Sequence, residues 1–566
     1  MRLERGQPPS VSKPCAERIP DVTLTGKKWL VIAALIALCA VEFLLFDRFG
    51  SHRVTGIYPR WNDQIQYLSE AYVGYEDSQA HGLLTALGHT LINPSAQGTL
   101  HDFAAVVAFT VAGASRSTAL ALNMLALIAW QLALFGAIRR TTGRTDLAWL
   151  AALLPIVLRG PWLIYPGSAN DFRLDHFAMC ALGVTSACAM LTRRFTHRGW
   201  TAAFGFCTAV TMLTRFITGT YFVVIFTILL LAALFAQNRW RRVANLLLAG
   251  GIVVLVAGPI FWLNREWVWN YYYIGHYVGP ESAIRNQNFG LLKSTAFVWG
   301  RLFTLHLGWF FAIFGGVLTA ALAGTRVKPA NRASDASPDG GAITAAVVGL
   351  IFLLAPALPL TLHPQKSEVV LSALAPGIIL LVVALWAWAS ERGVQSGGLG
   401  RRVVVVTATI AAVGYFGMSQ MRHEENAQLV ADRRQINDIA DYIVAHARAA
   451  KLDRPKIAVD HITDALDAQV IRVVCYERQH IWIDFDMRLP TGIAAPDANV
   501  VRQRMRESDF VFLLADDGLL NDYPYDHKLR EMRPELRAWC DAHLKATRHL
   551  TLGSHPITLY QRPAIE

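Results

Sequence analysis

The sequence predicts an α-helical polytopic membrane protein of about eleven transmembrane helices, with a small extracytoplasmic α/β domain at its carboxy end. Three observations carry this. Of the 566 residues 53% are hydrophobic and only 17% charged, against roughly 25% charged in soluble proteins. Up to about residue 420 the apolar residues gather in runs long enough to cross a hydrocarbon core of about 30 Å, and small basic clusters separate the runs. Beyond Met421 the runs give way to alternating strand-like and helix-like stretches, the pattern of an α/β unit.

The first run, Trp29 to Phe46, has no small-residue cleavage pattern after it and reads as a retained anchor behind a cytoplasmic tail, 1–28. Further runs fall at 117–138, 147–160, 175–192, 201–217, 220–236, 243–263, 302–323, 342–361, 369–390 and 402–419. Basic clusters (Lys27-Lys28, Arg139-Arg140, Arg193-Arg194, Arg241-Arg242, Arg326 with Lys328, Arg401-Arg402) all fall on one side if these spans alternate across the bilayer. Placing that side in the cytoplasm satisfies the positive-inside rule at every turn. The net charge of +11 therefore encodes topology and gives no support to nucleic-acid binding. The domain 29–420 then presents outer loops 47–116, 160–174, 264–301 and 362–368, and the loop 326–341 reads as a flexible cytoplasmic linker.

The terminal domain, 421–566, follows the last span on the outer side. Helices are expected at 423–450, 464–479, 497–508 and 527–545, and strands at 456–459, 510–514 and 557–560. Its Asp460-His461 and Asp516-Asp517-Gly518 follow strands and read first as turn chemistry. Cys475 and Cys540 lie there, where an extracytoplasmic location permits a disulfide; the seven cysteines show no metal-ligand spacing.

Ionisable residues gather in the outer loops. Asp63 lies on an amphipathic stretch whose stripe Trp61, Ile65, Leu68, Tyr72, Tyr75 recurs at helical spacing. Such a helix is expected to lie in the interface with its apolar side in lipid. The second loop carries Asp171, Arg173 and Asp175, the two carboxylates four residues apart. A carboxylate at the membrane boundary is costly and is usually paired or functional. The last loop, His363 to Glu368, holds Lys366, a cation suited to a phosphate near the amino end of the following helix. Arg215 is a further cation at an outer face. The aromatic stretch Phe261 to Tyr273 reads as an interfacial belt, with stacking against a sugar as a second reading.

An amino-terminal anchor, an Asp on the first outer loop, an Asp on the second and an outer terminal domain resemble the GT-C glycosyltransferases. More particularly, the chain is similar to bacterial relatives of protein O-mannosyltransferases and to lipid A aminoarabinose transferases. The segment Thr361 to Ala375 is similar to the Lys-containing stretch that opens a late span in those enzymes. One departure is plain. The acidic pair often found in the first loop is here Asp63-Gln64.

The resemblance implies transfer of a sugar from a polyprenyl-phosphate donor to a cell-envelope acceptor (lipid, glycan or protein) at the outer face of an inner membrane. In that reading Asp63 is the base, and Asp171 or Asp175 orients the acceptor, the base or a divalent cation. Lys366, Arg215 and His363 hold the donor phosphate; Arg173, Tyr67 and Glu70 contact substrate. Two alternatives stand beside it: a polysaccharide polymerase or ligase working on lipid-pyrophosphate oligosaccharides, and a lipid-linked-sugar transporter. The transporter is disfavoured because the span interiors are nearly free of charge.

Overall fold

The computed structural model describes residues 26–55, 62–163, 166–286, 289–324, 338–392, 398–421, 427–452, 454–460, 468–481, 494–519, 522–552 and 555–563. The expectations for the tail 1–25, for Trp61, for His461 and for most of the linker 326–341 fall outside those residues.

The helices run α1 Gly26–Leu45, α2 Asn62–His81, α3 Leu83–Ile92, α4 Leu100–Ala112, α5 Arg116–Thr142, α6 Thr145–Leu153, α7 Leu174–Leu191, α8 Arg198–Thr214, α9 Thr218–Leu234 and α10 Arg239–Leu263. They continue as α11 Leu291–Arg301, α12 Gly308–Ala323, α13 Pro338–Leu362, α14 Ala375–Arg392 and α15 Gly398–Met421. Among the described residues eight segments are long and apolar enough to cross a membrane. The chain is a multi-pass membrane protein. Each expected run corresponds to a helix, including the shorter α6, α8 and α9.

Burial sorts the helices. The apolar windows of α7 and α14 are mostly buried inside the protein, whereas α1, α10 and α15 expose most of theirs. The first pair forms the centre of the bundle around Trp130 and Trp386, and the second set lies at its periphery with apolar side chains exposed. Close contact between α13 and α14 rests on small residues: a Cβ on Gly377 would lie 2.5 Å from the Leu353 nitrogen and 2.8 Å from the Gly349 oxygen. Pro356 and Pro359 sit inside α13, tolerated where neighbouring helices supply packing.

Two of the expected outer loops are more ordered than a loop reading implies. The first folds into α2, α3 and α4. The third contains a π-helical stretch, Trp269–Val278, a short helix, Pro280–Arg285, and then α11, which leads through a second π-helical stretch, Leu302–Leu307, into α12.

The expectation that α2 lies on the membrane with its apolar side in lipid is overturned. Ile65, Leu68, Ala71 and Tyr72 are buried against protein. Tyr72 stacks on Phe109 of α4 with ring centroids 5.3 Å apart, and lies 4.8 Å from Tyr476. Helical periodicity identifies an apolar face and is silent on what covers it.

The terminal domain adds α16 Ala427–Ala449, α17 Ala468–Gln479, α18 Ala498–Glu507 and α19 Pro524–His543, with strands β1 Ile457–Val459, β2 Phe510–Leu514, β3 Lys545–Leu552 and β4 His555–Gln561. The sheet order is β1-β2-β4-β3, with β1 and β2 parallel and the other pairs antiparallel. Strand alternation splits β2: Phe510, Phe512 and Leu514 face the α16–α17 layer, and Val511 and Leu513 face α18 and α19. Cys475 lies on the first face and Cys540 on the second. Both thiols are free and buried, with the sheet between them, so they form no disulfide. The expected strand 557–560 is β4, but β3 was not foreseen. It carries Lys545, Arg548 and His549 in place of an apolar run, as edge strands often do.

Candidate active site

Five segments converge on one cavity of about 150 Å³. The first turn of α2 contributes Asp63, the amino end of α7 contributes Arg173, and the carboxy end of α8 contributes Arg215. The π-helical stretch and the short helix after it supply Tyr271, Tyr272, His276 and Arg285, and the segment after α13 supplies His363 and Lys366.

Carboxylates and guanidiniums alternate across the site. Arg173 donates through Nη2 to Asp63, and its Nε lies 3.8 Å from Asp175 and 4.0 Å from Asp171. Arg215 Nε lies 3.0 Å from the other oxygen of Asp175. Exposure distinguishes the three acids: the side chain of Asp63 is 41% exposed, that of Asp171 5% and that of Asp175 1%. Asp63 alone among them is open to a ligand. Asp175, in the first turn of α7, gains from the positive end of that helix and holds both arginines from behind.

The loop before α7 is fixed from the protein side. Asn123 of α5 donates to the carbonyl oxygens of Asp171 at 2.9 Å and Ala169 at 3.2 Å. The Gly167 N–H donates to the Asp171 carboxylate at 2.6 Å. Gly167 adopts a φ of +79°, and a Cβ there would lie 2.4 Å from Val369 and 3.1 Å from the Asp175 Cβ. Only glycine meets both the left-handed backbone and the close approach. Burial pushes the Asp171 carboxyl up to about 7, against the opposing pull of Arg173 and of the Gly167 N–H.

Lys366 lines the cavity, but its surroundings differ from those expected. Its ammonium donates to the carbonyl oxygens of His363 at 2.6 Å, Thr361 at 2.7 Å and Leu360 at 3.4 Å. It closes the carboxy end of α13 rather than standing at the start of the following helix; the unpaired carbonyls of a helix end attract a nearby cation. Burial lowers its pKa. His363 donates through Nδ1 to the Gln365 carbonyl oxygen at 3.0 Å, and its ring lies edge-on to His276 at 5.2 Å. Burial lowers both imidazoles, His276 to about 4, so at neutral pH they are uncharged.

Tyr67 is buried behind the site, its ring edge-on to His101 at 6.4 Å, and does not line the cavity. Glu70 faces a different cavity and stands apart from the other candidates. Arg285 escaped sequence reasoning. Arg265, Lys293 and Arg301 share the expected loop 264–301 with it, so no lone cation marked it out as Lys366 is marked in its own loop. For a divalent cation the donor set fits poorly. Among the described residues no three His, Cys, Asp or Glu side chains come together as metal ligands, and each carboxylate at the site faces an arginine.

No protein-family model and no curated protein matches this chain. Solved structures do. ArnT from Cupriavidus metallidurans in the apo state superposes with a TM-score of 0.56 at 13% identity, covering 95% of this chain and 98% of that one. The same protein bound to undecaprenyl phosphate gives a TM-score of 0.55 at 14% identity, covering 96% and 99%. At that identity the likeness is one of fold: the chain has the architecture of ArnT, the lipid A aminoarabinose transferase, a GT-C glycosyltransferase.

Proposed function

From a GT-C-type architecture with one exposed carboxylate among buried cations, we propose a membrane glycosyltransferase. It transfers a sugar from a polyprenyl-phosphate donor to a hydroxyl of a cell-envelope acceptor. The observation that carries this is the cavity wall, where Asp63 faces Arg173, Arg215, Arg285 and Lys366. Such a wall suits an anion that gains charge as it leaves.

In the reaction the acceptor oxygen forms a bond to the anomeric carbon as the bond from that carbon to the donor phosphate oxygen breaks. The acceptor proton passes to Asp63. The electron pair stays on the polyprenyl phosphate, where the guanidiniums stabilise it. Asp175 and Asp171 hold Arg173 and Arg215 in place and do not meet substrate. The lipid carrier in the ArnT structure is of the same chemical class. We place the amino terminus in the cytoplasm and the terminal domain outside, supported by the basic clusters of the intervening turns.

A single sugar phosphate suits the cavity better than an oligosaccharide pyrophosphate, because about 150 Å³ falls below the roughly 300–1,000 Å³ of pockets for drug-sized ligands. Purified protein incubated with a radiolabelled monosaccharide-phosphoryl-polyprenol and envelope fractions is expected to transfer label to an acceptor. Absence of transfer to every fraction, with transfer from oligosaccharide pyrophosphate lipids instead, would favour the polymerase or ligase.

A further inference from the structure

Behind the active site, α2, α3 and α4 enclose a second cavity of about 290 Å³. Glu70, Asp77 and Asp102 line it together with His89, and Thr90 and Thr99 add hydroxyl groups. Asp77 is already engaged, 2.7 Å from both His81 and His89. Asp102 is not. Its side chain is 9% exposed, and its Oδ1 is buried without a hydrogen-bond partner. The closest basic atom is Nδ1 of His101 at 3.8 Å, an imidazole that burial holds uncharged, its pKa lowered to about 3. A buried carboxylate oxygen left unmatched loses the hydrogen bonds that water would give it and gains none in return. Such a group is most simply explained by a ligand that matches it.

We propose that this cavity binds a small ligand bearing a primary ammonium group, held by Asp102 and Glu70. An organic cation is favoured over a metal ion because no three donors among the described residues come together as a metal site. The cavity instead spreads its carboxylates and hydroxyls along a wall, as an elongated ligand with one charged end requires. The apolar surface of the same helices points to where the ligand comes from. Val73, which lines the cavity, is 45% exposed, and Leu84 and Ile92 of α3 and Val111 of α4 are exposed on the helices that build it. Helices that carry both an acidic cavity and exposed apolar side chains suit a lipid headgroup reached from the membrane surface; a free amine offers the same chemistry.

The site is independent of glycosyl transfer, so binding is the readout. Full-length protein in phosphatidylglycerol nanodiscs is titrated with ethanolamine, with ethylene glycol as the uncharged control, and the melting temperature and heat of binding are followed. Ethanolamine is expected to bind and stabilise, ethylene glycol to do neither, and Asp102→Asn and Glu70→Gln each to weaken binding at least tenfold. Protein in phosphatidylethanolamine nanodiscs separates the sources: loss of the ethanolamine response there assigns the site to the lipid, and an unchanged response assigns it to a free amine. No binding in phosphatidylglycerol, equal binding of ethylene glycol, or unchanged binding in both variants overturns the proposal. If Asp102→Asn fails to fold, Glu70→Gln decides alone.

Discussion

At its amino end α2 sets Asp63 against an arginine. Two turns further along, about 10 Å by helical rise, the same helix sets Glu70 near Asp102, where Gln66 and the field of Arg472 are the offsetting influences on Glu70. The first cavity has a cation for each carboxylate, and the arrangement can serve chemistry at neutral pH. The second leaves carboxyl groups buried without matching charge, and burial raises them, Glu70 to about 7 and Asp102 to about 8. What distinguishes a reactive acid from a binding acid on one helix is the company supplied by other segments: α7 and α8 in one case, α3 and α4 in the other.

The largest effect separates the two cavities by activity. Asp63→Asn keeps the size of the side chain and a hydrogen-bond acceptor for Arg173 but removes the base. Transfer is expected to fall by about 10²–10⁴-fold with folding and insertion intact, measured as turnover of labelled donor. Glu70→Gln, on the same helix, is expected to leave turnover within a few-fold. Equal losses would erase the distinction.

The next effect is on stability. Arg215→Met leaves Asp175 buried with its main partner gone, and removing one member of a buried pair costs about 3–5 kcal/mol. The double variant Asp175→Asn, Arg215→Met is expected to recover most of that stability and none of the activity. Chemical denaturation in detergent micelles measures the first, and the transfer assay the second.

The stretches that determine these roles were unequally legible in the sequence. Apolar runs and basic clusters revealed the spans and their order, because bilayer thickness and charge placement act on the chain directly. Strand β2 was equally plain, since Phe510 to Leu514 is buried on both faces. Asp63, Arg173, Arg215, His363 and Lys366 were found as outer-side ionisable groups, and the structure brings all five to one cavity. Their partners were not readable. Nothing local says that Lys366 spends its protons on the end of α13, or that Asp175 sits behind two arginines, because these depend on how distant segments pack. Glu70 was misplaced for the same reason: seven residues along a helix turn it toward other neighbours.

A smaller effect follows from protons. In the fold Asp102 and Glu70 keep their protons up to about pH 8 and 7, whereas in the unfolded chain such groups ionise near pH 4. The folded state therefore binds more protons between about pH 4 and 8, and stability declines as pH rises through that window, levelling off above it. Facing these groups are His101, Asp77, His89 and Arg472. Asp102→Asn is expected to flatten the decline, on the order of a few kcal/mol across the window, as read from melting temperature against pH.

The smallest effect lies where α2 meets the terminal domain. Tyr72, midway along α2, donates its hydroxyl to Glu477 of α17 at 2.9 Å, and Arg116 reaches the same carboxylate at 3.0 Å. Tyr476 donates to Glu76 one turn on. The terminal domain thus grips the helix that carries both acidic sites. Tyr72→Phe removes one hydrogen bond and keeps the ring stacked on Phe109, so the loss of stability should be about 1 kcal/mol. Because Arg116 still satisfies Glu477, the loss should not grow beyond that. If the terminal domain sets the position of Asp63, turnover falls with the substitution while ethanolamine binding does not. If it merely caps the bundle, neither changes, and the position of Asp63 belongs to Arg173 alone.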